Sequence, residues 1–165
     1  VVHTARAAQT LQIKPWYSAL PWEWGGVAVD AILPGAMIDS RRASYSPKTA
    51  YNGVYVRGQQ TGVMCLVKRI GSDGSTLAPM QTHPLITATE AGLALGSKIL
   101  ADSGPREIVT LTIPLLDNPG LLAPGCLIEV QATGDTWRGQ VVKCGITARR
   151  PAVQQTIDVI RYHGS

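Results

Sequence analysis

The strongest constraint on the fold is a run of alternating apolar and polar residues in the last third of the chain. It falls into four stretches: Glu107–Ile113, Cys126–Ala132, Trp137–Ile146 and Val153–Tyr162. A period of two gives each stretch one apolar and one polar face, as in a half-buried β-strand. Turn residues separate the stretches, so the pattern predicts a four-stranded antiparallel meander. The predicted fold is mainly β: a small antiparallel β-barrel or strongly curled sheet with one packed helix and an N-terminal segment of extended chain and short strands.

The third stretch changes phase in its middle. Trp137 and Val141 fall in one phase of the alternation, whereas Val142 and Cys144 fall in the other. An extra residue in one strand of a pair produces such a change and bends the sheet. We therefore expect a β-bulge near Gly139–Val142.

One helix is predicted, over residues 88–103. Thr87 and Glu90 have the spacing of a capping box, in which two side chains satisfy amides of the first helical turn. Gly92 and Gly96 lie on the apolar face, although each glycine costs a helix about 1 kcal/mol relative to alanine. We expect these glycines to allow close approach to a strand.

The sequence predicts a division near residue 50. The polar stretch Ser40–Asn52 has the composition of an exposed linker. Residues 1–50 would form a strap with short strands, belonging in part to an adjoining domain. Residues 51–165 would form a barrel-like domain that contains the helix and a hairpin made of Val54–Gly58 and Val63–Arg69.

Three of the four tryptophans lie within nine residues, in the segment Pro15–Trp24, called here the aromatic strap. Its prolines exclude a long helix or a central strand. Its rings could stack on single-stranded nucleic acid or a sugar, but a stacking groove normally has interleaved basic residues. We favour the second interpretation, in which the strap covers a neighbouring sheet or a preceding domain.

The residues that most often carry chemistry are scattered. Neither the cysteines nor the histidines have metal-ligand spacing, and no hydrolase, metalloprotease or paired-acid motif occurs. The cysteines fall within apolar strand patterns and are expected to be small buried hydrophobic residues of a protein folded in a reducing cytoplasm. We therefore predict no enzyme activity and no catalytic, cofactor-binding or metal-binding residue, hence no cofactor. The residues concerned are Cys65, Cys126, Cys144, His3, His83 and His163.

The net charge of the chain excludes few classes of protein. Fifteen basic and eleven acidic residues give a net charge of +4, and the basic residues form only isolated pairs. A dedicated nucleic-acid surface normally gathers them on one face or in a run. No apolar run reaches the ~18 residues of a membrane helix, so no membrane embedding is expected. The sequence shows no signal peptide and does not begin with Met, and we interpret it as a piece of a larger polypeptide.

Several landmarks together resemble the hub proteins of bacteriophage tails, the family of baseplate or tail-tip hubs that includes late control protein D-like tail proteins. A Pro-Gly turn, an apolar strand, a Trp-x-Gly-x-Val strand and a closing strand ending in Arg recur in such hubs. The resemblance covers roughly residues 50–163. The landmarks are Tyr51–Gly58, Pro84–Ile86, the helix through Leu100, Ile108–Pro114, Leu122–Val130, Trp137–Val141 and Val153–Arg161.

The resemblance implies a virion structural protein of a phage or prophage tail, made in the cytoplasm of the bacterial host. Family hubs form homotrimeric rings that join the tail tube to a spike or fibre. They surround the passage for DNA, which the protein meets only as the DNA passes through the lumen. The partners implied are thus other copies of this chain and other tail proteins.

Two alternatives from other classes stay open at this stage. One is a single-stranded nucleic-acid-binding module of the OB type, using the aromatic strap with two basic pairs. The other is an enzyme whose site forms only at a subunit interface. The basic pairs are Arg41-Arg42 and Lys68-Arg69.

Overall fold

A computed structural model describes residues 2–5, 10–13, 15–60, 62–149 and 152–163, the first two ranges by their backbone alone. These residues form eleven strands and one α-helix, so the mainly β class with one helix is confirmed. Short 3-10 helices occupy Pro21–Glu23 and Gly35–Met37. The α-helix, α1, spans Thr89–Ala101, and the strands are β1 Val2–Ala5, β2 Thr10–Ile13, β3 Ala31–Pro34, β4 Ser40–Ser46, β5 Gly53–Gly58, β6 Met64–Lys68, β7 Leu77–His83, β8 Arg106–Pro114, β9 Leu127–Ala132, β10 Asp135–Arg149 and β11 Ala152–Tyr162.

The chain divides into two compact units. The sheet unit contains the residues up to Ser46 together with Arg106–His163, and the inserted unit is Pro47–Pro105. This division differs from the predicted boundary between residues 1–50 and 51–165. The physical reason is hydrogen bonding between distant segments, because β3 and β4 belong to the same sheet as the C-terminal strands.

The main sheet of the sheet unit has six strands in the order β3-β9-β10-β11-β8-β4. Strands β9, β10 and β11 are joined by hairpins, whereas β8 lies beside β11 and not beside β9. The predicted meander is therefore wrong in the place of its first strand, and the four strands form a Greek key. The twelve-residue connection over residues 115–126 is too long for a tight hairpin, and it lets β8 pair with the other end of the set.

A buried glutamine fixes that connection. Gln155, on β11, is fully buried and accepts a hydrogen bond from the Leu122 backbone amide at 3.1 Å. Its side-chain amide donates to the Gly120 carbonyl at 2.8 Å. Leu122 itself enters the hydrophobic core. The connection is thus held by one polar side chain and one apolar side chain.

The core lies on one face of the six-stranded sheet. The alternating apolar positions of β8, β9, β10 and β11 supply most of it, and Leu33 of β3 joins them. The buried face is the apolar face that the alternation predicts for these strands. Among the described residues, β3 pairs only with β9 and β4 only with β8, so their hydrogen bonds do not close the sheet and the predicted barrel is not confirmed.

The predicted bulge is confirmed. The pairing of β10 with β11 shifts register between Val141 and Lys143, which leaves Val142 as the extra residue. Close by, a Cβ atom on Gly139 would lie 2.5 Å from the Ile160 carbonyl oxygen. Only glycine fits this close approach of two strands.

In the inserted unit, β5 lies between β6 and β7. β5 and β6 form the antiparallel hairpin expected from the sequence, and β7 runs parallel to β5. α1 packs on this sheet: a Cβ on Gly92 would lie 2.6 Å from the Cys65 sulfur, and one on Gly96 would lie 2.4 Å from a Val67 methyl. The glycines therefore permit the close contact predicted for them.

The start of α1 differs from the prediction. The residue at the N-cap is Ala88, not Thr87, and no side chain caps the helix there. The acidic side chain of Glu90 still lies in the first turn, where it complements the helix dipole.

The remaining strands, β1 and β2, form an antiparallel two-stranded sheet. No helix among the described residues combines the length and the apolar character that a bilayer crossing demands.

Candidate functional site

Arg138 ties the aromatic strap and the residues after it to the outer face of β10. One guanidinium nitrogen, Nη1, donates to the carbonyl oxygens of Trp24, Gly25 and Val27 at 2.7, 3.0 and 3.1 Å. The Nε atom donates to the Glu129 carboxylate at 2.8 Å. Since a guanidinium carries several donors in a fixed plane, one side chain can hold both the strap and the neighbouring strand.

Two further hydrogen bonds secure the strap. The side-chain amide of Gln140, buried on β10, donates to the Trp16 carbonyl at 2.7 Å. The Trp24 indole donates to the Ala19 carbonyl at 3.1 Å, and the rings of Trp24 and Tyr17 are buried. These contacts favour the interpretation in which the strap covers a sheet. The Trp16 side chain has 41% of its surface exposed, so its ring is available to a partner.

A charged cluster lies at the β9–β10 end of the sheet. The Asp135 carboxylate accepts from both terminal nitrogens of Arg161, at 2.9 and 2.8 Å, and from Arg41 at 3.5 Å. The hydrogen bond from Arg161 holds the pKa of Asp135 below its ordinary value. Both guanidinium groups also lie over the Trp137 ring, 5.2 Å and 5.7 Å from its centre.

The cluster extends across β8 and β4. Glu107 lies 4.0 Å from Arg161 and 3.2 Å from the His163 ring nitrogen. The His163 ring meets that of Tyr45 edge-on, with centres 6.1 Å apart. Four strands thus contribute to one network of ion pairs and rings. This network was hard to predict from the sequence, because Asp135 has the pattern of a turn residue and Arg161 that of a residue at the end of a strand.

The described histidines and the cysteines are distributed over both units. The side chain of His3 lies outside those described, and His83 and His163 belong to different units. The cysteines are partly buried, less than predicted, and Cys126 and Cys144 pack against the core. Burial raises the pKa of the Cys144 thiol. Among the described residues, no group of three or more His, Cys, Asp or Glu could hold a metal ion.

Two of the four basic residues proposed for a nucleic-acid surface, Arg41 and Lys68, are engaged within the protein. Arg41 pairs with Asp135, and the Lys68 amine donates to the Asp73 carbonyl at 3.2 Å. Arg41 belongs to the sheet unit and Lys68 to the inserted unit. Each of these two basic groups thus has a partner in its own unit.

The sheet unit leaves two strand edges open. β3 and β4 each pair on one side only within the described residues. β4 is seven residues long and largely exposed, and its Tyr45 has 60% of its surface exposed. Unpaired strand edges and exposed apolar side chains are typical of surfaces that bind another protein chain.

These features define a class of architecture: an open Greek-key sheet with its core on one face, and a small helix-covered sheet inserted in the chain between two neighbouring strands. Two solved structures share it. One is a tail protein from Neisseria meningitidis MC58, with 16% identity and a TM-score of 0.52 over 84% of this chain. The other is the 43 kDa tail protein of prophage MuSo2 from Shewanella oneidensis, with 14% identity and a TM-score of 0.53 over 80% of this chain.

The chain spans less than half of these neighbours, 45% of the first and 44% of the second. At these identities the likeness shows a common fold. No protein-family model and no curated protein matches the chain.

Proposed function

We propose that this protein is a structural component of a phage or prophage tail. The observation that carries the proposal is the fold shared with two tail proteins over at least 80% of the chain. In the finer form of the proposal, the chain is part of a hub of the baseplate or tail tip, of the late control protein D-like kind. It joins the tail tube to the spike or fibre within the virion and is made in the host cytoplasm.

The open edges of the sheet unit support a role in assembly. An edge strand such as β4 presents backbone groups that pair readily with another chain, and a soluble monomer normally protects such an edge. Ring closure requires a heterologous contact, in which one surface of a copy meets a different surface of the next. The proposed assembly is a homotrimeric ring, with the tail tube and the spike or fibre as further partners.

The polar face of the sheet supports a passage for DNA through the ring. Thr110 donates to Asp158 at 2.7 Å, and Thr112 lies 3.5 Å from Thr156. Because these groups bond to one another, the face is polar without being strongly basic. Such a surface lets DNA pass without binding it tightly.

Molar mass in solution tests the proposal. Light scattering during size-exclusion chromatography should give a species of three times the 17.6 kDa chain mass, and electron microscopy should show a ring with a central opening. A chain that stays monomeric up to millimolar concentration would contradict the ring.

A binding assay separates the proposal from the nucleic-acid alternative. Single-stranded and double-stranded DNA of equal length should bind weakly and without preference. Tight, salt-dependent binding of the single strand alone would contradict the tail function and support an OB-type module.

A further inference from the structure

A groove on the sheet unit lies between the β8–β9 connection and the aromatic strap with the residues that follow it. Its volume of about 520 Å³ falls within the range of protein binding sites, about 300–1,000 Å³. The described residues of its lining are mostly apolar and include one acidic and no basic side chain. The lining residues used below are Val27, Ala28, Asp30, Pro124, Leu127 and Gln140.

The floor of the groove is the outer face of the sheet. Leu127 and Gln140 are partners across β9 and β10, and the next residue of β9, Ile128, lies in the core. Since successive side chains of a strand point to opposite faces, Leu127 and Gln140 point away from the core. The strap covers them there, because the Gln140 amide donates to the Trp16 carbonyl at 2.7 Å. The groove is therefore bounded by the strap on one side and by this face of the sheet on the other.

Two side-chain acceptors come together beside Leu127. One carboxylate oxygen of Asp30, Oδ2, accepts from the Leu127 amide at 2.8 Å, and the exposed position of Asp30 leaves Oδ1 for a ligand. Gln140 is 2% exposed, and its oxygen Oε1 has no hydrogen-bond partner among the described residues. A buried acceptor without a partner is costly, and folded proteins rarely contain one. A donor group bound in the groove would supply the missing partner.

The charge of the groove indicates what kind of ligand it takes. Asp30 is the one charged side chain in the described lining. Arg138, on the same outer face, is already paired with Glu129 and donates to the Val27 carbonyl in the wall. A negative charge and two acceptors between apolar walls match a cation that carries an apolar chain.

The geometry favours an ammonium group over a guanidinium group. Only one oxygen of Asp30 is free, so a guanidinium cannot form its usual pair of parallel hydrogen bonds with this carboxylate. An ammonium is a compact charge with three donors, which can be shared between Asp30 and Gln140. The methylene chain of lysine also packs well on apolar surfaces while its charged end stays polar.

We propose that the groove binds a lysine side chain of a partner protein. The ammonium pairs with Oδ1 of Asp30 and donates to Oε1 of Gln140, and the methylene chain packs on Val27 and Pro124. The groove is larger than one lysine side chain, so apolar neighbours of that lysine also fit. The inference goes beyond the proposed function and rests on it only for the partner being another tail protein.

Titration of the full-length protein with capped tripeptides tests the inference. The probes carry lysine, norleucine or arginine between two valines, and norleucine keeps the methylene chain without the ammonium. Backbone amide chemical shifts show where each peptide binds, and the Leu127 amide is a direct reporter because it bonds to Asp30. The lysine peptide should bind about threefold to fivefold more tightly than the norleucine peptide, as expected for a partly exposed ion pair. The arginine peptide should bind less tightly than the lysine peptide.

Matched variants separate the Asp30 carboxylate from the net charge. Asp30→Asn removes the charge and keeps an oxygen for the Leu127 amide, whereas Asp39→Asn makes the same change at an exposed residue outside the groove. Asp30→Asn should abolish the preference for lysine over norleucine, and Asp39→Asn should keep it. Ala28→Trp fills the groove from an exposed position and should abolish the shifts that every peptide causes at Leu127. Circular dichroism shows whether each variant keeps its fold, and the peptide comparison on the wild-type chain is decisive without them.

Several outcomes would overturn the inference. They are shifts confined to amides outside the groove, equal binding of the lysine and norleucine peptides, tighter binding of the arginine peptide, and equal effects of Asp30→Asn and Asp39→Asn. Tighter binding of cadaverine than of the lysine peptide would assign the groove to a free amine and overturn the partner protein. Failure of the ring is a separate result, because the groove lies within the sheet unit of one copy and its peptide binding does not depend on assembly.

Discussion

Gln155 offers the sharpest test of how the Greek-key connection is held. Its fully buried side chain bonds the Leu122 amide and the Gly120 carbonyl, and no neighbouring strand supplies these two bonds. Gln155→Leu keeps most of the side-chain volume but removes both polar partners. The connection between β8 and β9 should then lose its anchor while the strands keep their pairing.

The expected loss of stability follows from the two orphaned backbone groups. A buried amide left without a partner, here that of Leu122, costs about 1–3 kcal/mol. Loss of the bond to the Gly120 carbonyl, which is only partly buried, adds about 0.5–1.5 kcal/mol. The apolar leucine offsets part of this, about 1–2 kcal/mol. The net destabilisation should be about 1.5 kcal/mol, which corresponds to a fall in Tm of about 3–6 °C for a chain of this size.

Urea unfolding followed by tryptophan fluorescence measures the change, because Trp137 lies in the core of the same unit. The matched control is Gln154→Leu, one residue away, whose side chain makes an exposed bond to Asp39. The control should change the free energy of unfolding by less than about 0.5 kcal/mol. Equal effects of the two substitutions would refute the assignment of Gln155 as the anchor.

Three further predictions follow from packing and charge. Gly96→Ala should destabilise the protein by about 1–3 kcal/mol although alanine favours a helix more than glycine does, because the new methyl group clashes with Val67. Adding Val67→Ala to this variant should restore part of the lost stability, as measured by thermal melts. Arg161 lowers the pKa of Asp135, so the ionised carboxylate stabilises the folded protein above about pH 4, and this stability is lost as the pH falls through the lower pKa of the folded state. Asp135→Asn should flatten this part of the curve of stability against pH. The change should be less than about 1 kcal/mol, because the ion pair is partly exposed. Burial raises the pKa of Cys144, so its alkylation at pH 8, followed by mass spectrometry, should be slower in the folded than in the urea-unfolded protein; equal rates would contradict this.

The strands were predictable because alternation is a local property. The four C-terminal strands, the bulge after Val141 and the hairpin of β5 and β6 all appear as expected. The place of β8 was not predictable in the same way. The alternation of polar and apolar residues in β8 is compatible with pairing to β9 or to β11. Its pairing with β11 depends on the long β8–β9 connection and on the buried Gln155 that holds this connection.

The candidate surfaces were less accessible to sequence reasoning. Arg41, Asp135 and Arg161 lie far apart in the chain and meet only after β4, β10 and β11 have paired. Likewise, the Asp30 carboxylate accepts from the amide of Leu127, almost a hundred positions later. The aromatic strap is conspicuous in the sequence, but only the bonds from Arg138 and Gln140 show which side of it faces the sheet.

The sequence by itself determined that this protein is mainly β, where most strands lie and which face of each is apolar, because side-chain alternation and turn chemistry act over a few residues. Tertiary structure decided the strand order and the joining of N-terminal and C-terminal segments in one open sheet. These features depend on backbone hydrogen bonds between distant segments, whose donors and acceptors are the same in almost every residue. Local patterns therefore carry little information about which of them will pair.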